Sequence, residues 1–330
     1  MEKVKKTQVE ISIAGKNVTA DVSPYLSQIG YSDKLEAESD SIDLTFEDVK
    51  KLWCESWYPQ KGDTLTVRMG YAGELLDCGV FEIDEIEFST PPDTLTVRAL
   101  AASITKSLRT RNSKAFEKQT LAKIAQYFAD KHGLKIVGST TELNNIEIER
   151  KTQENQTDLG FLAGLAKEYG FVFSVRGGQL VFIDADELEK KPAVMELTPA
   201  QISSCSFKDK TSQTYAAAVV SKRNARTNSV TKWKIEPAKQ EGEADTLVIN
   251  GNVDNDSQAQ AQARGALKNK NKDKITGSIA MAGNPALVAG INITLSGYGN
   301  FSGKWHVVET RHSVNPQGGY TMDATIRKIV

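Results

Sequence analysis

The chain is short of the residues from which most reactive sites are built. It has three cysteines and three histidines in 330 residues. Cys54, Cys78 and Cys205 are scattered. That excludes a disulfide framework or a paired-cysteine metal knuckle and suits folding in a reducing cytosol. His306 and His312 have no cysteine or carboxylate beside them at a metal-ligand spacing. A surplus of either charge is also missing: 41 Lys+Arg face 42 Asp+Glu. Net charge therefore makes no case for a nucleic-acid binder or a polybasic membrane protein. No apolar run is long enough to span a bilayer. Met1-Glu2-Lys3-Val4-Lys5-Lys6 leads into no apolar segment, so no secretory signal is expected. Neither a G-x-S-x-G nucleophile elbow nor a G-x-x-x-x-G-K-S/T phosphate loop occurs.

What is present is alternation. Hydrophobic residues make up 39% and charged residues 25%, which fits a soluble globular chain of roughly two domains at ~150 residues each. Residues 61–100 read as three strands. In the first, Leu65, Val67 and Met69 share one face and Thr64, Thr66 and Arg68 the other. Gly79 opens the second, Val80 to Phe88, and Pro91-Pro92-Asp93 turns the chain into the third, with Leu95, Val97 and Ala99 on one face. Period-two alternation between turn residues marks a half-buried antiparallel sheet. In the second strand Phe81 and Ile83 are odd-numbered while Ile86 and Phe88 are even. That shift predicts a bulge near Asp84-Glu85, as where a sheet curls.

Residues 290–327 repeat this order. Gly290 to Leu295 lies over Gly62 to Val67, pairing Ile293 with Leu65; Gly303 to Val307 lies over Gly79 to Ile83, pairing Trp305 with Phe81. Pro316 matches Pro92, and Tyr320, Met322, Ala324 and Ile326 alternate as Leu95 to Ala99 do. The reading is two copies of one small β-barrel.

Ahead of the first copy, Val9, Ile11 and Ile13 form a strand that turns at Gly15-Lys16-Asn17 into a return strand, Val18 to Val22. Ser23-Pro24 begins a loop, and residues 34–46 read as a strand with one acidic face. Between the copies, Thr120 caps a helix with Leu121, Ile124, Ala125 and Phe128 on one face, stopped by Gly133. A second helix spans Thr157 to Tyr169, stopped by Gly170; a hairpin follows through Gly177-Gly178. Beyond Lys190-Lys191-Pro192 strands are expected at Ile202–Phe207 and Tyr215–Ser221, and a hairpin over 219–235 with a polar tip at 224–228. Residues 240–244 read as a loop. A third helix, Asp256 to Leu267, is built on alanines.

Each candidate for chemistry has a plainer reading. Trp53, Trp57 and Tyr58 could form a stacking platform; they read as core or interface anchors. His132 in a helix's last turn reads as a charge partner or surface residue. His306 and His312 flank a strand and share a face only if it is regular. Asp184, Asp186 and Glu187 read as turn and helix-start residues. Asn250, Asn252, Asp254 and Asp256 faintly resemble a calcium loop, but the required Gly and closing Glu are missing. Residues 268–274 are a basic run without interleaved aromatics and read as a solvated helix end. Glu36, Glu38, Asp40 and Asp43 form a solvated face or line a wet channel.

Three passages in order carry a family resemblance: Gly62 to Val67 with Gly79 to Asp84; Gln153 to Gly170 running on to Phe182; and Thr276 to Ile279 with Gly283 to Gly290 and Gly303 to Val307. Together they resemble the phage late control protein D family, the baseplate hub of contractile tails, and are similar to the hub portion of VgrG spike proteins. Asp63 departs from the internal repeat, facing Ile291. The resemblance implies an α+β, mainly β fold with two tail-tube-like β-barrel domains, residues 1–110 and 190–330, the latter with one helix. A helix–helix–hairpin module, 111–189, would separate them. It further implies a homotrimer whose six barrels form a pseudo-sixfold ring. That ring would join the tail tube to a separate spike protein, contact other baseplate proteins and leave a lumen for DNA or tape-measure protein. No catalytic residue, cofactor or metal is implied, nor any membrane insertion. The expected location is the virion tail baseplate, assembled in the host cytoplasm. A tailocin or type VI-like injection system would use the same hub. A cell-wall hydrolase would need a carboxylate pair or metal site, and a glycan-binding tail module would rest on Trp53, Trp57 and Tyr58.

Overall fold

The computed structural model describes residues 5–36, 39–102, 107–210, 214–224, 229–235, 245–250, 253 and 255–329. The chain starts with β1 (Thr7–Ile13), β2 (Lys16–Asn17), α1 (Thr19–Val22), β3 (Leu26–Lys34) and β4 (Ser41–Glu47). The three strands of the first repeat are β5 (Thr64–Tyr71), β6 (Glu74–Ser89) and β7 (Thr94–Ala101). Next come β8 (Arg111–Thr120), α2 (Leu121–His132), β9 (Lys135–Gly138), α3 (Thr140–Asn144), β10 (Glu147–Thr157) and α4 (Asp158–Tyr169). The hairpin β11 (Phe171–Arg176) and β12 (Gln179–Asp184) leads to α5 (Ala185–Lys190), β13 (Ala193–Leu197) and β14 (Ile202–Asp209). Then follow β15 (Tyr215–Asn224), β16 (Ser229–Ile235), β17 (Asp245–Asn250) and α6 (Asp256–Asn271). The chain closes with β18 (Ile275–Ala282), β19 (Asn292–Leu295), β20 (Gly303–Asn315) and β21 (Gly319–Lys328).

Contacts divide the molecule into two compact units. The first comprises Met1–Ile104, Ala193–Ser206 and Gly277–Ile326; the second, Thr105–Pro192, Phe207–Thr276 and Arg327–Val330. This grouping is not linear along the chain. Residues 207–276, with α6 and the sheet of β15 to β17, group with the helical module.

In the first unit the two repeats agree to the level of single hydrogen bonds. Leu65 lies opposite Phe81 on β5 and β6, and Ile293 lies opposite Trp305 on β19 and β20. All four side chains are buried. Gly62 N–H donates to the Ile83 carbonyl (2.8 Å) and Gly290 N–H to the Val307 carbonyl (2.9 Å). The return bonds match as well, from Ile83 N–H to Asp63 (3.0 Å) and from Val307 N–H to Ile291 (2.9 Å). Both entry glycines hold nearly the same φ, +90° and +89°, where a side chain would be strained.

The strands of both repeats join one thirteen-stranded sheet, ordered β14-β18-β21-β20-β3-β4-β7-β6-β5-β1-β2, with β13 and β19 attached beside β20. The crossover is β20 against β3, Val314 opposite Ile29 and His312 opposite Tyr31. The predicted bulge is present: Ile83 pairs with Ala99 and Glu85 with Arg98, leaving Asp84 without an opposite residue.

Three boundaries differ from the sequence expectation. Residues 18–22 are not a return strand: Thr19 Oγ1 accepts from the Ile11 N–H (2.8 Å) and donates to its carbonyl (3.2 Å). Those bonds use the ladder groups a strand would need, and α1 forms instead. The strand expected over 34–46 starts only at Ser41, and β3 precedes it. Burial in β3 runs through the consecutive residues Ile29, Gly30 and Tyr31, which hides its period. The second strand of the first repeat begins at Glu74, and Gly79 lies inside it at a bulge, where Cys78 and Gly79 face Val67 alone. Residues 37–38, 225–228, 240–244, 252 and 254 lie outside the described residues, so the hairpin tip beyond Asn224, the 240–244 loop, Glu38, and Asn252 and Asp254 of the calcium-like stretch do too.

The second unit follows its sequence signals. Thr120 Oγ1 accepts from Lys123 N–H and Thr157 Oγ1 from Gly160 N–H, and the two helices stop at Gly133 and Gly170. The alanine-rich α6 packs closely: its Ala259, Ala263 and Gly265 are buried. A Cβ at Gly265 would sit 2.6 Å from the Glu168 carbonyl and the Gly170 nitrogen.

Two glycine substitutions in this helix pair are expected to act oppositely. Gly265→Ala forces α4 and α6 apart and costs about 1–3 kcal/mol, overriding the better helix propensity of alanine. Gly164→Ala, whose Cβ meets nothing within 4 Å, stabilises by roughly 0.5–1 kcal/mol. Urea denaturation of the two variants checks both signs.

Candidate functional site

The aromatic cluster separates into a core residue and two surface residues. Trp53 is 2% exposed and stacks on Phe46 with centroids 3.9 Å apart. The loop is held by buried Asp48, which accepts from the N–H groups of Trp53 (2.9 Å) and Cys54 (3.1 Å) and from Cys54 Sγ (2.7 Å). Trp57 meets Trp53 and Tyr25 edge-on at 5.7 Å each. Trp57 and Tyr58 are 37% and 47% exposed and border a cavity of about 340 Å³ with Asp21 and Asp63.

The strand carboxylates meet one guanidinium. Arg98 on β7 lies near Asp43 of β4 (3.7 Å) and Glu85 and Glu87 of β6 (3.1 and 3.4 Å). The Asp84 bulge turns Glu85 and Glu87 to this face, because one extra residue inverts the alternation. All four groups are a third or more exposed, so each pair is worth at most about 1 kcal/mol. Asp40 instead accepts from Lys34 N–H (3.0 Å).

The histidines do not converge. His306 Nδ1 bonds Asn292 Oδ1 (2.7 Å). His312 is buried, with Nδ1 on the Tyr320 hydroxyl (2.8 Å) and Nε2 on the Leu287 carbonyl (3.1 Å), its ring between those of Tyr31 and Tyr320. Burial pushes its pKa down to about 4, against upward pulls from the Leu287 carbonyl and Asp33. Among the described residues no group of His, Cys, Asp and Glu is placed to hold a metal ion.

His132 is not a surface residue: its side chain is 1% exposed. Its Nε2 lies 2.9 Å from Asp158 Oδ2, and its Nδ1 lies 2.9 Å from Ser107 Oγ. Asp158 is fully buried and also accepts from Lys131 Nζ (2.6 Å), Gln153 Nε2 (2.7 Å) and Asn112 Nδ2 (3.0 Å). Burial raises its pKa, but the donors Gln153, Lys131, His132 and Asn112 outweigh it and hold the carboxyl below its ordinary value. Sequence reading missed Asp158 and Ser107, since they stand 26 and 25 residues from His132 in no recognisable motif.

The remaining candidates are structural. Asp184 Oδ1 accepts from Asp186 N–H (2.8 Å) and caps α5, as its position predicts. Asp186 pairs with Arg264 and Lys268 of α6, so the basic run begins with a paired lysine. Asp256 accepts from Trp233 Nε1 (2.6 Å).

A family model described as phage tail baseplate hub (GPD) matches residues 68–318. The chain is similar to the probable baseplate hub protein of Escherichia phage P2, 29% identical over 178 residues, 54% of this chain and 45% of that one. It is also similar to that of Escherichia phage 186, 28% over 177 residues, 53% and 44%. The matched part thus spans under half of these relatives. Among solved structures it resembles the 43 kDa tail protein of prophage MuSo2 from Shewanella oneidensis, with TM-score 0.72, 17% identity, 97% of this chain and 98% of that one. A tail protein from Neisseria meningitidis follows, with TM-score 0.71, 13% identity, and 98% and 97% covered. A type VI secretion component of E. coli, described as similar to the T4 tail proteins gp27 and gp5, has TM-score 0.58, 13% identity, and 98% and 77% covered. At these identities the likeness to solved structures is one of fold.

Two outcomes follow from the buried polar groups. Asp158→Asn weakens the bonds of four donors to a buried acceptor, with Lys131 still a third exposed to water, and is expected to cost about 1–3 kcal/mol in chemical denaturation. The unfolded His312 titrates near 6.5 and the folded one near 4, so on acidification the unfolded chain takes up the proton first. Stability held above pH ~6.5 is then lost as pH falls toward 4, by about 3 kcal/mol in the limit. His312→Gln should flatten that part of the melting-temperature profile between pH 7 and pH 4.5.

Proposed function

The chain belongs to the phage tail baseplate hub (GPD) family, and from that membership we propose that it is the trimeric hub ring of a contractile tail. The observation that carries the reading is the internal repeat, whose two copies share register, entry-glycine geometry and buried aromatic–aliphatic pair. A closed threefold ring of a chain with two equivalent repeats is pseudo-sixfold. It can therefore match a sixfold tube on one side and a threefold spike on the other.

In this reading the two repeats are the nuclei of two tail-tube-like barrels, within residues 1–110 and 190–330. The module beginning at residue 111 lies between them, and residues 207–276 form an excursion from the second barrel. The ring would sit in the virion baseplate after assembly in the host cytoplasm, joining the tail tube, the central spike and other baseplate proteins. Its lumen would pass DNA or tape-measure protein. Its work is geometric, and no step of it needs catalysis.

Light scattering on the purified chain is expected to give the mass of three copies, and negative-stain micrographs a ring of six similar lobes. A monomer at high concentration with no ring in assembled particles would overturn the reading.

A further inference from the structure

One arrangement in the second unit is not used by the hub reading. Ser107 is exposed in the turn 107–110, and its Oγ lies 2.9 Å from His132 Nδ1. The far nitrogen of the same imidazole lies 2.9 Å from Asp158 Oδ2. Asp158 is itself fixed by Asn112 from β8 and Gln153 from β10. The turn is fixed too: Leu108 is fully buried and its carbonyl accepts from Leu159 N–H (3.1 Å), the residue after Asp158. A hydroxyl on a base that is oriented by a buried carboxylate is the arrangement that activates a serine. The two ring nitrogens are exchanged relative to the usual triad, which leaves the proton path unchanged.

We propose that Ser107 is an activated nucleophile for acyl transfer from carboxylic esters, with His132 as its general base and Asp158 as a positioning residue. Ser107 Oγ attacks the ester carbonyl carbon while its proton passes to His132 Nδ1. The C–O bond of the ester breaks, and the departing alkoxide takes that proton, leaving an acyl group on Ser107. Water then attacks by the same route and releases the acid, with no change of oxidation state. Lys131 shares Oδ2 of Asp158 with the imidazole, so part of the carboxylate's charge is already spent. That predicts a slow site. The exposed turn suits small or surface-presented esters.

The test is labelling with a fluorophosphonate, which loses fluoride to a serine activated in this way, followed by mass spectrometry of the modified peptide. Ser107 should be labelled in the folded protein and not in urea. An unlabelled Ser107 in the native wild type, or equal labelling in urea, overturns the proposal without recourse to any variant. Ser107→Ala should abolish the label, and His132→Gln, provided its melting curve stays cooperative, should slow it by about 100-fold or more. An unchanged rate in His132→Gln would also overturn it. Asp158→Asn, assayed well below its melting point, should slow labelling of Ser107 by about 100-fold or more, because the imidazole is no longer held in the tautomer that accepts the serine proton; an unchanged rate would overturn its positioning role.

Discussion

An aromatic side chain set directly opposite an aliphatic one across two antiparallel strands is the constraint on which the first unit depends. It occurs as Phe81 against Leu65 and as Trp305 against Ile293. A slip of one residue in either pair would turn the whole buried set to solvent. Burying each such side chain contributes roughly 1.5–3 kcal/mol, so the register is strongly specified. The entry glycines and their paired backbone bonds fix where each strand begins. The long strands β6 and β20 then carry that register outward into the rest of the thirteen-stranded sheet.

The bulges adapt this regular pattern. At Asp84 one extra residue moves Glu85 and Glu87 to the polar face beside Arg98. At Cys78-Gly79 a second irregularity lets β6 continue back to Glu74. Stability comes from the apolar face, and the exposed charges around Arg98 add little.

The second unit rests on a different balance. Its helices α2 and α4 are capped by local threonines and stopped by glycines, but its interior holds a buried carboxylate. Asp158 is tolerable there because four donors from β8, β10 and α2 meet it. Burying a charge is costly unless such partners converge. The same convergence places a histidine between a carboxylate and a serine.

The sequence by itself determined the strands of both repeats, the Asp84 bulge, the helix caps at Thr120 and Thr157, the glycine stops and the cap role of Asp184. Each is set by residues within a few positions of one another, where steric and hydrogen-bonding preferences act directly. It also determined the repeat, and three passages in order carried the family resemblance. The buried run in β3 and the helical turn at residues 19–22 were hidden, because Thr19 and Asp33 answer to partners on other elements. Only the tertiary structure decided that strands of both repeats share one sheet and that Trp53 is core while Trp57 is surface. It alone decided that α6 packs on α4, and that Ser107, His132 and Asp158 meet. These depend on contacts between residues far apart in the chain, whose energies no local pattern records.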